Sequence, residues 1–123
     1  DRLSNGMKQL LAKRRAMHEI RPGVSAMHPV IRTHPDTGRR VIYVNEIFVR
    51  GILNLPDGEG EAILGFLLHH IQSPDFQYRH GWDEGDLVAW DNHLTQHYAA
   101  SDYTERRVVH RVGFRGTPFP AAS

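Results

Sequence analysis

Apolar residues recur at helical spacing in two stretches. From Ser4 to His18, Met7, Leu10, Leu11 and Met17 fall on one side while Lys8, Lys13, Arg14 and Arg15 take the other, and Ser4 is placed to cap the first turn. Arg21-Pro22-Gly23 ends that stretch. From about Gly60 to Gln72, Ala62, Ile63, Phe66, Leu67 and His70 follow the i, i+3, i+4 rule, and Leu64, Leu68 and Ile71 widen the stripe. Asp57 or Glu59 lies near the positive end of this second helix, and Ser73-Pro74 closes it. Elsewhere the pattern is extended. Ala26–Thr33 and Arg40–Val49 are rich in Val, Ile, Tyr and Phe and are separated by His34-Pro35-Asp36-Thr37-Gly38, which is turn chemistry, so a β-hairpin is expected. Three more runs, Phe76–Trp82, Asp86–Asp91 and Arg106–Arg115, read as strands.

Five strands with two helices predict a mainly β fold with flanking helices, and a jelly roll or similar double sheet is the natural candidate. Five strands leave part of such a roll unbuilt and its edges open, which points to an incomplete domain. The chain has 123 residues, enough for one domain or a piece of one. Its 15 Lys+Arg against 14 Asp+Glu supply no field for nonspecific phosphate binding, which argues against nucleic acid as a partner. No apolar run approaches the ~20 residues that span a bilayer, and no basic-then-apolar leader opens the chain. Zero Cys excludes disulfides, thiolate metal sites and cysteine nucleophiles. Nine His is a high count, and imidazole is the commonest metal ligand.

Period two in the last strand places Arg107, Val109 and Arg111 on one face, and Arg106, Val108, His110, Val112 and Phe114 on the other, core-facing one. Two guanidiniums on one face form either a carboxylate pocket or a solvated outer surface. His93 and His97 stand four apart and would converge on a zinc ion if Asn92–His97 were helical, the basis of a hydrolase reading. Asp91-Asn92 is a turn signal, however, which leaves His97 as the more informative imidazole. His34-Pro35-Asp36 has the His-x-Asp form of a facial metal site, but Pro and the following Thr-Gly place both side chains in a turn that Asp36 shapes. Phe76, Tyr78 and Trp82 alternate and read as core. Walker, dinucleotide and nucleophile-elbow motifs are absent.

Taken in order, several segments resemble the taurine dioxygenase (TauD/TfdA) family: His28-Pro29-Val30-Ile31-Arg32-Thr33-His34-Pro35, Thr37-Gly38-Arg39, Tyr43-Val44-Asn45-Glu46, Phe76-Gln77-Tyr78-Arg79-His80, Gly85 to Asn92, Thr95-Gln96-His97-Tyr98-Ala99, and Asp102-Tyr103 with Arg106-Arg107-Val108-Val109-His110-Arg111. The resemblance implies a double-stranded β-helix (jelly roll, cupin-like, of the clavaminate synthase-like kind). It also implies a non-heme dioxygenase dependent on Fe(II), 2-oxoglutarate and O2. Such an enzyme oxidises or hydroxylates a small, anionic substrate and releases succinate and CO2. His97 matches the distal iron-ligating histidine. Arg107 matches the arginine that binds the far carboxylate of 2-oxoglutarate, and Arg111 a second arginine near the cosubstrate that can hold an anionic group of the substrate. Phe48 matches an aromatic residue of the substrate pocket. A cytoplasmic homo-oligomer, dimer or tetramer, is implied as well.

The family's His-x-Asp/Glu ligand pair has no counterpart here, so residues 1–123 are expected to be the C-terminal part of one oxygenase domain, with one iron ligand of three. His97 to Arg107 is one residue tighter than in the family, which brings Arg106 into play beside Arg107. The link from Ile20 to Ser25 is also shorter, and a flexible lid segment is expected there. The alternative function is a non-catalytic jelly-roll module that holds a small carboxylate at Arg107 and Arg111.

Overall fold

The computed structural model describes residues 2–118. The chain runs through helix α1 (Asn5–Ala12), strands β1 (Arg15–Arg21), β2 (Val24–Pro29), β3 (Ile31–Thr33), β4 (Arg40–Ile42) and β5 (Val49–Ile52), helix α2 (Asp57–Ile71) and a 3-10 turn at Pro74–Phe76. One sheet has the order β2-β1-β5, the other pairs β3 with β4, and every pairing is antiparallel.

Helix α1 begins where the sequence places it, with the Ser4 hydroxyl accepting from the Met7 amide at 3.2 Å. It is shorter than expected. The helix stops at Ala12 and the chain turns extended at Arg15. Met17 fits a helical stripe, but Ala16 and His18 are buried while Arg15, Met17 and Glu19 are less so, the alternation of a strand with two neighbours. Long-range pairing with β2 and β5 outweighs the local period. The link after Ile20 is a tight connection: Arg21 pairs with Val24, and Gly23 takes φ +78°, the left-handed geometry that favours glycine.

The hairpin around His34–Gly38 is present as β3–β4, with Ile31 opposite Ile42 and Thr33 opposite Arg40. The expected run Arg40–Val49 divides, because residues 43–48 form a bend before β5. In that bend Asn45 Oδ1 accepts from the Phe48 amide at 2.7 Å, and the Phe48 carbonyl accepts from the Glu19 amide at 2.7 Å. Helix α2 starts three residues before the sequence estimate, because the Pro56 carbonyl already accepts from the Glu59 and Gly60 amides. A Cβ on Gly60 would lie 3.2 Å from the Ile52 carbonyl oxygen, so glycine lets α2 lie close on β5. The core joins Leu3 and Leu11 from the N-terminal segment, Ala16, Val30, Val44, Val49 and Ile52 from the strands and their links, and Leu67 from α2.

From residue 77 onward the expected strands do not form. Phe76–Trp82, Asp86–Asp91 and Arg106–Arg115 contain no strand among the described residues. A strand exists only when its N–H and C=O groups find a neighbour, and none of these runs has one here. The residues expected in the core are accordingly open: Phe76, Tyr78 and Trp82 are exposed, as are Val108 and Val112, and Phe114 is 94% exposed.

Candidate active site

A cavity of about 330 Å³ opens between β1, β2, the 43–48 bend and residues 92–96, with His18, His28, Tyr43, Asn45 and Phe48 in its wall. Sheet pairing positions the imidazoles. His18 on β1 lies opposite Ala26 and His28 on β2 opposite Ala16, so both project from one face of the hairpin. Their rings meet edge to face at 5.0 Å, and His18 stacks on Tyr43 at 5.2 Å. The Arg32 guanidinium lies 4.6 Å from the Tyr43 ring centre. Burial pushes the His18 pKa below its usual value, and the charge of His28 adds to the effect. His28 is lowered by burial and then by Arg32 and Arg15. Both rings therefore favour the neutral state, and His18 Nε2 is buried without a hydrogen-bond partner among the described residues.

Beside the cavity, Asp91 organises the segment that leads to His97. One carboxylate oxygen accepts from the His93 amide at 2.7 Å, and the Asp91 carbonyl accepts from the Thr95 amide at 3.0 Å and the Thr95 hydroxyl at 2.6 Å. The other carboxylate oxygen lies 2.8 Å from His34 Nε2. The His93 amide, with help from His34, holds the Asp91 carboxyl below the usual carboxylate range. His34 is 3% exposed, and its Nδ1 accepts from the Asp36 and Thr37 amides, each at 3.2 Å. Two donors facing Nδ1 require that nitrogen to be unprotonated, so the proton sits on Nε2 and is donated to Asp91.

His34, Asp91 and His93 offer three ligand atoms within 4.8 Å of one another, the geometry of a possible metal cluster. The tautomer argues against it. A metal on Nε2 would push the ring proton to Nδ1, against the two amide donors already facing that atom. This triad therefore reads as a hydrogen-bonded strut.

His97 is exposed, with its ring 4.8 Å from that of Trp90. The Arg111 guanidinium lies 5.9 Å from the same indole, so His97 and Arg111 each approach Trp90. Arg107 instead lies over Tyr103 at 4.5 Å. Its charge also reaches Asp102, whose carboxyl is held low chiefly by Arg79. The shared strand face expected for Arg107 and Arg111 is not formed, because 106–115 is unpaired and its side chains do not alternate about a sheet. Phe48 lines the cavity, whereas His97, Arg107 and Arg111 lie outside its wall. Residues 92–97 are not helical, and His93 turns to His34 while His97 turns to Trp90, so the zinc arrangement of His93 with His97 does not form. Asp36 shapes its turn as expected, through its backbone amide.

Sequence reasoning missed His18, His28 and the His34–Asp91 pair. His18 was hidden by reading residues 13–18 as helix; the alternation of Ala16 and His18 was the available signal. The His34–Asp91 contact spans 57 positions, and no local pattern could reveal it.

The model of the taurine catabolism dioxygenase TauD, TfdA family matches residues 2–112. An alpha-ketoglutarate-dependent sulfonate dioxygenase from Saccharomyces cerevisiae is 37% identical over 96% of this chain and 27% of its own length. An alpha-ketoglutarate-dependent sulfate ester dioxygenase from Pseudomonas putida is 37% identical over 72% of the chain and 30% of its own length. A taurine dioxygenase from Burkholderia xenovorans, solved by crystallography, superimposes with a TM-score of 0.64 at 34% identity, over 67% of this chain and 30% of that one. The two sheets and helices are thus part of a jelly-roll, cupin-like fold of the taurine dioxygenase kind. The chain spans less than a third of the length of these relatives. No helix among the described residues is long and apolar enough to cross a membrane. The chain belongs to the taurine catabolism dioxygenase TauD, TfdA family.

Proposed function

We propose that the protein of which this chain forms part is an Fe(II)- and 2-oxoglutarate-dependent dioxygenase acting on a small anionic substrate. The observation that carries this reading is that His97 and Arg111 both approach Trp90 within residues 2–112, which match the family. The donor set fits iron and a dicarboxylate. Among the described residues His97 makes no hydrogen bond with its ring nitrogens, which leaves them able to ligate a metal, and neither Arg107 nor Arg111 is ion-paired to a carboxylate. An imidazole suits iron, and guanidiniums suit a dicarboxylate through paired hydrogen bonds.

In this reading His97 supplies one iron ligand, and the His-x-Asp/Glu pair comes from residues outside this chain. When bound, Fe(II) supplies the activation of O2, with 2-oxoglutarate converted to succinate and CO2. Arg107 binds the far carboxylate of 2-oxoglutarate, fixing its direction. Arg111 holds an acidic group of the substrate, and Phe48 contributes an apolar wall. Holding the substrate fixed supplies the orientation that an attack on one C–H bond requires. The names of the relatives, a sulfonate, a sulfate ester and a taurine dioxygenase, support an anionic substrate.

The test is succinate release by the full-length protein with Fe(II) and 2-oxoglutarate, run against a panel of sulfonates, sulfate esters and carboxylates. Succinate coupled to consumption of one panel member is expected. Its absence across the panel would overturn the proposal and favour a carboxylate-binding module.

A further inference from the structure

We infer that His34 is a positioning residue for His97, acting through Asp91; the inference rests on the dioxygenase reading of His97. Residues 91–97 carry no helix or strand, so nothing regular fixes where His97 stands. They are tied down at both ends. At the start, His34 Nε2 donates to Asp91 at 2.8 Å. At the end, Gln96 Nε2 donates to the Val44 carbonyl at 2.6 Å, one residue before His97. Between these ties, the Asp91 carboxylate and carbonyl hold the amides of His93 and Thr95 and fold the intervening residues into a turn.

His34 can anchor this segment because it is itself fixed. It lies at the end of β3, its amide donates to the Arg39 carbonyl at 2.8 Å, and its carbonyl accepts from the Gly38 amide at 2.9 Å. Its ring is buried, and its Nδ1 is held by the Asp36 and Thr37 amides. A side chain with backbone and ring both constrained passes the position of the β3–β4 hairpin to Asp91 and from there to the turn. This is how outer partners orient a metal ligand, and losing one typically weakens metal affinity by about 10–100-fold.

The experiment uses the full-length protein and anaerobic Fe(II) titration in the presence of 2-oxoglutarate, read by the charge-transfer absorbance of the complex, with thermal melting alongside. His34→Asn keeps an acceptor near the place of Nδ1, so the turn amides stay satisfied, but it removes the donor to Asp91. Asp91→Ala removes the other partner at a half-exposed position, where folding is less at risk. Each is expected to lower Fe(II) affinity about tenfold or more and to shift the absorbance band. In the double variant His34→Asn should add nothing to Asp91→Ala, because the first acts through the second. Unchanged affinity and band in either single variant, or additive losses in the double one, would overturn the assignment. The wild-type titration separates the two levels of the argument. If it shows no charge-transfer band, the dioxygenase reading fails; a normal wild-type band unmoved by either substitution sinks the role of His34 alone.

Discussion

Residues 2–76 and 77–118 have similar densities of β-forming residues and reach different ends. In the first region each strand has a neighbour, and apolar side chains from both sheets meet α1 and α2 in a shared core. In the second, Leu87 is 95% exposed and Tyr78, Tyr98 and Phe114 are nearly as open, although the local pattern is as strand-like as that of β1. Strand propensity is fitness for a half-buried, paired surface, and without a partner it has no expression. The cavity draws on both regions: the first supplies His18, His28 and Phe48 to its wall and the second Asn92 to Gln96, while the proposed site residues His97, Arg107 and Arg111 lie in the second. Side-chain bonds such as His34–Asp91 and Gln96–Val44 join the two regions.

The largest expected effect tests this contrast directly. Leu67→Ala removes a side chain that is 0% exposed at the centre of α2, and should cost about 2–5 kcal/mol in denaturant unfolding of this chain. Leu87→Ala makes the same chemical change at an open position and should stay within about 0.5 kcal/mol. Equal losses would mean that the second region has its own buried core. Next in size is Arg107→Ala in the full-length protein. On the role proposed for Arg107, losing a charge-assisted pair of hydrogen bonds should raise the KM for 2-oxoglutarate about 10–100-fold, at a melting temperature close to wild type because the side chain is exposed. An unchanged KM would pass the role to Arg106 or remove it from both.

What was legible in the sequence follows the same division. Helix α2, the cap at Ser4 and the His34–Gly38 hairpin depend on near neighbours, and the sequence places each within a few residues. The extent of β1 was not legible, because Met17 satisfies a helical and an extended pattern equally and only pairing with β2 and β5 decides between them. In the site, His97, Arg107 and Arg111 were proposed from the family resemblance, whose motifs can be read without a fold, whereas the shared strand face expected for the two arginines is not formed. The strut from His34 to Asp91 needed the tertiary structure, because its halves belong to different regions. His34-Pro35-Asp36 held half of that answer: its turn-shaping role is real, and the same ring reaches Asp91 with its second nitrogen.

A smaller effect is expected at the turn between β1 and β2. Gly23→Ala places a Cβ at φ +78° and should destabilise by about 1–2 kcal/mol, whereas Gly58→Ala in the first turn of α2, where the backbone is helical and the space open, should be neutral or stabilising. Equal effects would show that the hairpin relaxes to another turn and that its register is not set by Gly23.

The smallest effect is a pH dependence carried by the paired region. His18 is 6% exposed, with His28, Tyr43 and Arg32 around it, and its pKa lies below the ordinary 6.5 because burial and the neighbouring charge of His28 disfavour the imidazolium. The unfolded chain therefore binds more protons than the folded one between the lowered pKa and 6.5, and stability rises with pH across that window. On acidification from about neutral pH, the melting temperature should fall as the window is crossed, and the fall should end once the folded-state ring is itself protonated. His18→Gln removes one of the two lowered imidazoles and should make that slope shallower without abolishing it, since His28 is displaced in the same direction by burial, Arg32 and Arg15. A slope identical to wild type would mean that His18 is open to water in solution, and the cavity wall it builds with Tyr43 would then be looser than the sheet pairing implies.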